Sequence, residues 1–433
     1  MKKIILFALI TILITACMPQ DGQIPQSPLL STLERKTGLI AYIGLDGNIY
    51  VSDQAGGKQT KLTDDATDPV NQPTQFNSYQ LPTWSLDGKQ LAFMGMSGTT
   101  DDSTGTIYVA NIEADTTQEI FSSQTEYPFY MSWSPDDSNV SFLSTSASGQ
   151  ALILQSAPAA DGGESTIIDT GSPYYWSWAP NGRILITHSG GAENSTSPEH
   201  LAFIRFQDAD IIETGLDLIP APFQAPAWSP DGSRIVLTRS EDGKNEIILT
   251  DGTGEYLKTL GSFTLNTGFA WSSDSKKVAF VNGTQTMNAG VIGELNVVDT
   301  ETDEKVSAGE NVVAFFWSPD GKRIAYFVPF LNTPEGSSDQ SNRQLFLQLN
   351  MLDVETGESK ELFSYRPTEQ FSSILPYFDQ YHQSNTIWSP DNNNLVLSFL
   401  DTEGNPGIAV VAASGQLEPR LLAEGYLAFW SWK

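Results

Sequence analysis

Trp317-Ser318-Pro319-Asp320-Gly321-Lys322-Arg323-Ile324-Ala325-Tyr326 reads as the end of one strand, a tight turn and the start of the next. Ser-Pro-Asp-Gly fits a type I turn: Pro319 supplies the fixed φ of the second position, and Gly321 takes the left-handed position that follows. The flanks, 312–317 and 323–328, are aromatic and β-branched, as half-buried strands are. One hairpin decides little. Its recurrence along the chain decides the fold.

The echoes are Trp84-Ser-Leu-Asp-Gly, Trp133-Ser-Pro-Asp-Asp, Trp178-Ala-Pro-Asn-Gly, Trp228-Ser-Pro-Asp-Gly, Trp271-Ser-Ser-Asp-Ser and Trp388-Ser-Pro-Asp-Asn, with Trp432 read as an eighth. Successive tryptophans lie 49, 45, 50, 43, 46, 71 and 44 residues apart. Where the left-handed position is not Gly it is Asp137 or Asn392, which tolerate it, or Ser275, which does so poorly. In each unit a strand ends at Trp (A), a second follows the turn (B), and a third (C) and a shorter fourth (D) come after. A period near 45 with four strand signals per unit is the signature of a β-propeller.

Eight B–C–D sets begin near Leu39, Leu91, Val140, Ile184, Ile235, Val278, Ile324 and Leu395. The first set has no A strand before it, and the last A strand, around 427–432, has no B strand after it. The two halves complete each other. The expected fold is therefore all-β: an eight-bladed propeller of four-stranded antiparallel blades, closed by pairing the C-terminal strand with the N-terminal strands. Seven blades is the alternative.

The Trp317–Tyr326 string, with strands such as Asn48-Ile-Tyr-Val-Ser-Asp and Gln59-Thr-Lys-Leu-Thr, resembles the repeats of TolB-type (WD40-like, PD40) β-propellers over residues 38–433. The resemblance implies the fold. It leaves function open, because such repeats occur in periplasmic scaffold proteins, peptidase propellers and some lyases. TolB itself carries an α/β domain ahead of its propeller, and residues 17–37 are too few to form one.

At the N-terminus, Lys2 and Lys3 precede an apolar run from Ile4 to Ile14, too short to span a bilayer and shaped like a secretory signal. Ile14-Thr15-Ala16-Cys17 resembles the bacterial lipobox, which implies a diacylated Cys17 as the mature N-terminus. Ordinary cleavage after Ala16 is the alternative. Cys17 is the only cysteine, so an exported chain of this sequence has no disulfide, and its use as an anchor best explains it. The expected organisation is a signal peptide over 1–16, a lipidated Cys17 with a flexible tether to 37, and the propeller over 38–433. Met18 rather than Asp after the cysteine favours the outer membrane, or the outer face of the cytoplasmic membrane in a single-membrane bacterium.

The formal charge of −29 becomes −31 once Lys2 and Lys3 are removed. So acidic a body argues against nucleic acid, whose binding depends on neutralising phosphates. No Gly-x-Ser-x-Gly elbow, glycine-rich phosphate cradle or Asp-x-Asp-x-Asp-Gly calcium loop occurs, so no cofactor or catalytic set is expected. His188, His200 and His382 read as solvated loop residues without metal-ligand spacing.

The remaining signal is in the loops. In an antiparallel meander the B–C and D–A connections emerge on one face, the A–B and C–D turns on the other. Every sizeable insertion falls in the first class: 64–82, 96–104, 188–199, 282–292, 329–343 and 364–385. Elaborated loops on one face of a regular scaffold are where binding is built. The candidate binding residues are Phe76 and Tyr79 in the first insertion and Tyr365, Phe371, Tyr377, Phe378, Tyr381 and His382 in the longest. Aromatics ahead of the repeat tryptophans, such as Phe129, Tyr130 and Trp176, are expected to pack between blades or rim the channel. The expected function is a monomeric, envelope-anchored binding or scaffolding propeller with a protein or glycan partner. A polysaccharide-acting lyase or hydrolase on the same face is the alternative.

Overall fold

The computed structural model describes residues 37–433 apart from 68–73, 100, 147–148, 150, 161–162, 192–197, 208–209, 222–223, 288–289 and 333–342. The signal segment, Cys17 and most of the tether lie outside the described residues.

The repeats fold as read. Five blades are separate four-stranded antiparallel sheets. Blade 2 is Phe76–Trp84, Gln90–Gly98, Ser103–Asn111 and Thr116–Ser123. Blade 3 is Pro128–Trp133, Asn139–Thr145, Leu152–Pro158 and Thr166–Gly171, and blade 4 is Tyr174–Trp178, Ile184–Ser189, His200–Gln207 and Asp210–Gly215. Blade 5 is Ala227–Trp228, Arg234–Glu241, Lys244–Asp251 and Tyr256–Phe263; blade 6 is Thr267–Trp271, Lys277–Met287, Gly290–Asp299 and Lys305–Val312. The other three run together. Blade 7 (Ala314–Trp317, Arg323–Asn332, Gln344–Asp353, Ser359–Pro367) touches blade 8 through Arg366 and Pro367, which pair with Leu400 and Phe399. Blade 8 holds Asn394–Leu400, Pro406–Ala412 and the first half of Arg420–Trp430, with Trp388 bridging to Leu395 as its short inner strand.

The second half of Arg420–Trp430 closes the ring. Leu427, Ala428, Phe429 and Trp430 pair with Ile43, Tyr42, Ala41 and Ile40, so the C-terminus supplies the inner strand of blade 1 (Ile40–Gly44, Ile49–Ser52, Thr60–Lys61). One detail of the repeat is corrected. The residue at the repeat position is Trp430, not Trp432. Trp430 faces Ile40 as Trp84 faces Leu91 and Trp133 faces Val140, and Ser431 takes the place of the turn serine.

Those turn serines explain the Trp-Ser-x-Asp motif. In six turns the Ser Oγ donates to the Asp two residues on, as Ser318 does to Asp320 at 2.6 Å, and accepts the N–H five residues on, as from Arg323 at 2.9 Å. In blade 1 the turn is split between the chain's two ends, and Ser431 Oγ accepts from Leu39 N–H at 2.9 Å. The same bond that shapes a hairpin elsewhere here joins the ends of the ring.

The left-handed residues that are not glycine do a second job. Asp137 (φ 58°) accepts from the Leu86 and Asp87 N–H groups of the preceding blade at 2.7 and 2.9 Å. Ser275 (φ 62°) accepts from Asp231 N–H at 3.0 Å, and Asn392 (φ 66°) from Asp320 N–H at 2.9 Å. Ser275, the poor choice on backbone grounds, is thus repaid by a bond across the seam that glycine cannot make, worth about 1 kcal/mol.

The tryptophans work the same seams. The indole N–H of Trp84, Trp133, Trp271, Trp317 and Trp388 donates to Phe429, Thr83, Ala227, Ala270 and Phe316, in each case the residue just before the tryptophan of the preceding blade. Blade 4 is the exception. The Trp178 and Trp228 indole N–H groups, on its two sides, are buried with no acceptor. Each such orphan forfeits about 1–3 kcal/mol.

The described parts of three B–C insertions are β-ribbon. The strands of blades 2, 6 and 7 run on past the sheet with Gly98 facing Ser103, Met287 facing Gly290 and Asn332 facing Gln344. Pairing satisfies backbone groups that an open loop leaves to water. Among the described residues no helix is long and apolar enough to cross a membrane.

Candidate functional site

The longest insertion, expected on the rim, lies in the channel. Thr368 caps a short helix, Glu369–Ile374, by accepting from Phe371 N–H at 3.3 Å; a 3-10 turn, Leu375–Tyr377, and a second helix, Phe378–Tyr381, follow. Phe378 packs on Phe315 of blade 7 with ring centroids 4.9 Å apart, and Phe371 on Phe327 at 5.6 Å. Gly268 of blade 6 is open to Phe378 for want of a side chain, since a Cβ there would sit 2.8 Å from the ring. Tyr381 meets Tyr130 of blade 3 edge-on at 5.1 Å.

Gln380 and Asp379 make the polar contacts. The Gln380 amide accepts from Trp176 N–H and donates to Trp176 O, both at 3.1 Å, and donates to Tyr130 Oη at 3.0 Å. Asp379 accepts from Ala225 N–H at 2.8 Å and from Gln380 N–H at 3.0 Å. The segment is a plug, held by blades 3 to 7.

The predicted hot spot is therefore corrected residue by residue. Phe371 is 0 % exposed and Phe378 2 %; Tyr365 is buried, with Phe363 6.0 Å away. None of these meets a partner without unpacking. Tyr381 is half-buried, and Tyr377 alone stays well exposed, at 42 %. His382 is half-buried on the opposite side of the plug. Phe76 is half-buried at the head of blade 2, and Tyr79 is buried, its hydroxyl donating to Asp65 at 2.6 Å. The reason is area: aromatic side chains gain about 25 cal/mol per Å² by filling a channel and nothing by facing water. The spacing Phe371, Ile374, Leu375, Phe378 is the i, i+3, i+4, i+7 stripe of a buried helix, behind a Thr-Glu start, so the signal was present in the sequence.

The other histidines also leave the loops. His188 is fully buried in its strand, with Nε2 2.9 Å from Glu199 Oε1 and Nδ1 3.1 Å from the Gln224 carbonyl; His200 begins a strand, 3.2 Å from Glu213. Among the described residues no group of three or more His, Cys, Asp or Glu is placed to hold a metal ion.

Above the plug, on the loop-bearing face, lies a cleft of about 890 Å³ between blades 1 and 2. Its apolar walls include Leu45 (42 % exposed) and Phe129 (40 % exposed), with Tyr381, Tyr426 and Leu427. Among the described residues its only charged lining groups are Asp46 and Glu369. Burial pushes the Asp46 carboxyl up, but hydrogen bonds from Lys61, Tyr50 and Asn48 outweigh it and bring its pKa to about 2. Asp46 is thus a fixed anion, not a poised acid.

Gln80 and Leu81 also line this cleft. Blade 2's inner strand carries one extra residue there, Gln80 facing Met94 and Thr83 facing Ala92, and Leu81 takes φ 48° just before Pro82. A leucine in that region costs about 1–3 kcal/mol, and such strain collects at functional sites. Leu45, Asp46, Phe129 and Glu369 carry no local pattern that separates them from other surface residues.

Asp379 gives the plug a pH dependence. Burial raises its carboxyl to about 7, against the hydrogen bonds from Ala225, Gln380 and its own backbone that lower it. Between pH 4 and 7 the folded state keeps a proton that the unfolded state releases, so stability falls as pH rises through that window. Asp379→Asn keeps an acceptor for Ala225 and removes the ionisation. Urea unfolding at pH 5 and pH 8 should show the variant gaining up to roughly 4 kcal/mol over the parent at the higher pH, and about 1–2 kcal/mol at the lower. Parallel pH profiles for the two proteins would refute the assignment.

No family model and no curated protein matches the sequence. Solved structures do match. An oligogalacturonate lyase in complex with manganese shares 13 % identity over 87 % of this chain and 97 % of its own, with a TM-score of 0.50. The β-propeller domain of the trilobed protease from Pyrococcus furiosus shares 13 % over 81 % and 96 %, with a TM-score of 0.46. TolB from Acinetobacter baumannii shares 15 % over 80 % and 84 %, with a TM-score of 0.37. At such identities the likeness is one of fold alone, and that fold, which this chain adopts, is the β-propeller.

Proposed function

We propose that this chain is an envelope-anchored binding propeller that holds an extended, basic segment of a partner protein in the cleft between blades 1 and 2. The observation that carries this reading is the lining of that cleft: exposed apolar and aromatic groups around the Asp46 and Glu369 carboxylates, with no cation among its described lining residues, although Lys61 reaches Asp46 from outside the lining at 2.9 Å. Rigid aromatics give buried area at little entropic cost, and carboxylates select the charge of what enters. The plug supports the same reading, since it fills the centre of the ring, and the cleft sits on the face where the insertions gather.

The test is fluorescence anisotropy with a labelled lysine-rich octapeptide and a glutamate-rich one of equal length. The basic peptide should bind, more weakly as salt rises. Phe129→Ala and Glu369→Gln should each weaken it by roughly threefold to tenfold, with unchanged melting temperature. Equal binding of the acidic peptide, or variants that bind as the parent does, would remove the proposal.

The anchor in this reading is a lipid on Cys17, with the outer membrane, or the outer face of a single membrane, as its site. Cys17→Ser should release the protein into the soluble fraction or leave its precursor uncleaved. Mass spectrometry of the mature N-terminus reads the lipid directly, and equal membrane retention of the variant would sink the anchor.

A further inference from the structure

At the tight-turn end of the channel, opposite the cleft, the ring opens into a funnel of about 340 Å³. Four repeat tryptophans line it, Trp133, Trp178, Trp228 and Trp271, together with the turn prolines Pro135, Pro180 and Pro230. The plug closes the upper end, presenting His382 and Gln383 as part of the lining. A ligand entering from the turn face meets the plug, which suits a compact unit rather than a chain passing through.

Three features define what would fit. First, among the described residues the lining holds no carboxylate, lysine or arginine, in a chain with 52 acidic and 23 basic residues. Burial alone lowers the His382 imidazole to about 4, so it too is neutral at pH 7. A charged ligand would lose its hydration there with no compensating charge. Second, the polar groups on the plug are uncommitted. Among the described residues the His382 ring meets no hydrogen-bonding partner, and Gln383 spends its amide N–H₂ on Pro226 O and Asp379 O, with no donor to its side-chain oxygen among those residues. Third, the indole N–H groups of Trp178 and Trp228 have no acceptor, whereas those of Trp133 and Trp271 are taken by the preceding blade. Both of these N–H groups are enclosed at the seams of blade 4, so the two rings meet the funnel through their carbon surfaces, and its polar contacts fall to the plug.

Flat indole faces, an uncharged wall and a few unpaired hydrogen-bonding groups make a site for a neutral ring bearing hydroxyls. We propose that the funnel binds an uncharged pyranose, as the terminal unit of a glycan, with His382 and Gln383 bonding its hydroxyls and the tryptophans packing on its faces. This site is independent of the cleft on the other face.

The experiment is titration of the full chain with N,N′-diacetylchitobiose, cellobiose and digalacturonate, followed by tryptophan fluorescence and saturation-transfer NMR. At least one of the two neutral disaccharides should bind, and digalacturonate should not. His382→Ala and Gln383→Leu should each weaken the neutral sugar by about tenfold, the effect of one or two lost hydrogen bonds. Trp228→Phe keeps an aromatic face and breaks no hydrogen bond within the protein from its indole, so it should fold normally and still weaken binding. No binding of either neutral sugar at tens of millimolar, equal binding of digalacturonate, or affinity unchanged in the folded variants would each overturn the proposal.

Discussion

Replacing residues 364–385 by a short Gly-Ser link is expected to leave no soluble propeller. Sequence reasoning treats this stretch as a surface loop, for which shortening costs only the logarithm of its length. The structure puts Phe371, Ile374, Leu375 and Phe378 in the core. Truncating one buried Phe to Ala typically costs about 3–5 kcal/mol, and one Leu or Ile about 2–5. Four together come to about 10–20 kcal/mol, as much as or more than the 5–15 kcal/mol that holds most domains folded. The link would also strand the Trp176 backbone, whose N–H and C=O are both bonded to Gln380, and the carbonyl and hydroxyl groups around it. Because the whole replacement destroys the readout, single changes give the graded measurement. Phe378→Ala should lose about 3–5 kcal/mol in urea unfolding, and Tyr377→Ala, on the exposed side, less than about 0.5. A loop-replaced protein with the parent's melting curve would refute the plug.

Removing residues 427–433 is expected to give an insoluble or protease-sensitive product. The deletion strips blade 1 of its inner strand, with the ladder from Ile40–Trp430 to Ile43–Leu427, the Trp84 indole bond to Phe429, and the Ser431 bond to Leu39. Trp430 and Phe429 are fully buried, so their loss opens the centre of the ring as well as its seam. A shorter cut separates the two terminal tryptophans. Deleting only Trp432 and Lys433 removes a half-buried ring outside the repeat position and should cost no more than about 1–2 kcal/mol. If the two-residue cut proves as damaging as the seven-residue one, the closure is not carried by Trp430. If the seven-residue cut melts like the parent, the ring is closed some other way.

The sequence by itself determined the repeating unit, and with it the ring. A hairpin turn is a local event: Pro at its second position, a left-handed residue at its fourth and a serine between strand and aspartate act within six residues, so each writes itself into the sequence. Eight copies then leave little freedom, because a blade buries its faces only against its neighbours. The unpaired strand at each end of the chain announced the closure for the same reason.

Only the tertiary structure decided what the insertions do. A run of aromatics looks the same whether it awaits a partner or fills a hole, and the hole is formed by inner strands drawn from the whole chain. Phe371 and Phe378 are buried because Phe327, Phe315 and Gly268, 44 to 110 residues earlier, leave space of their shape. Likewise Leu45, Asp46, Phe129 and Glu369 are unremarkable apart and become one cleft when blades 1, 2 and 3 and the plug meet. The orphaned indoles of Trp178 and Trp228 follow the same logic. Their motifs match the repeat, yet the bond that five other repeat indoles make to the preceding blade is missing there, a difference that no local pattern of residues encodes.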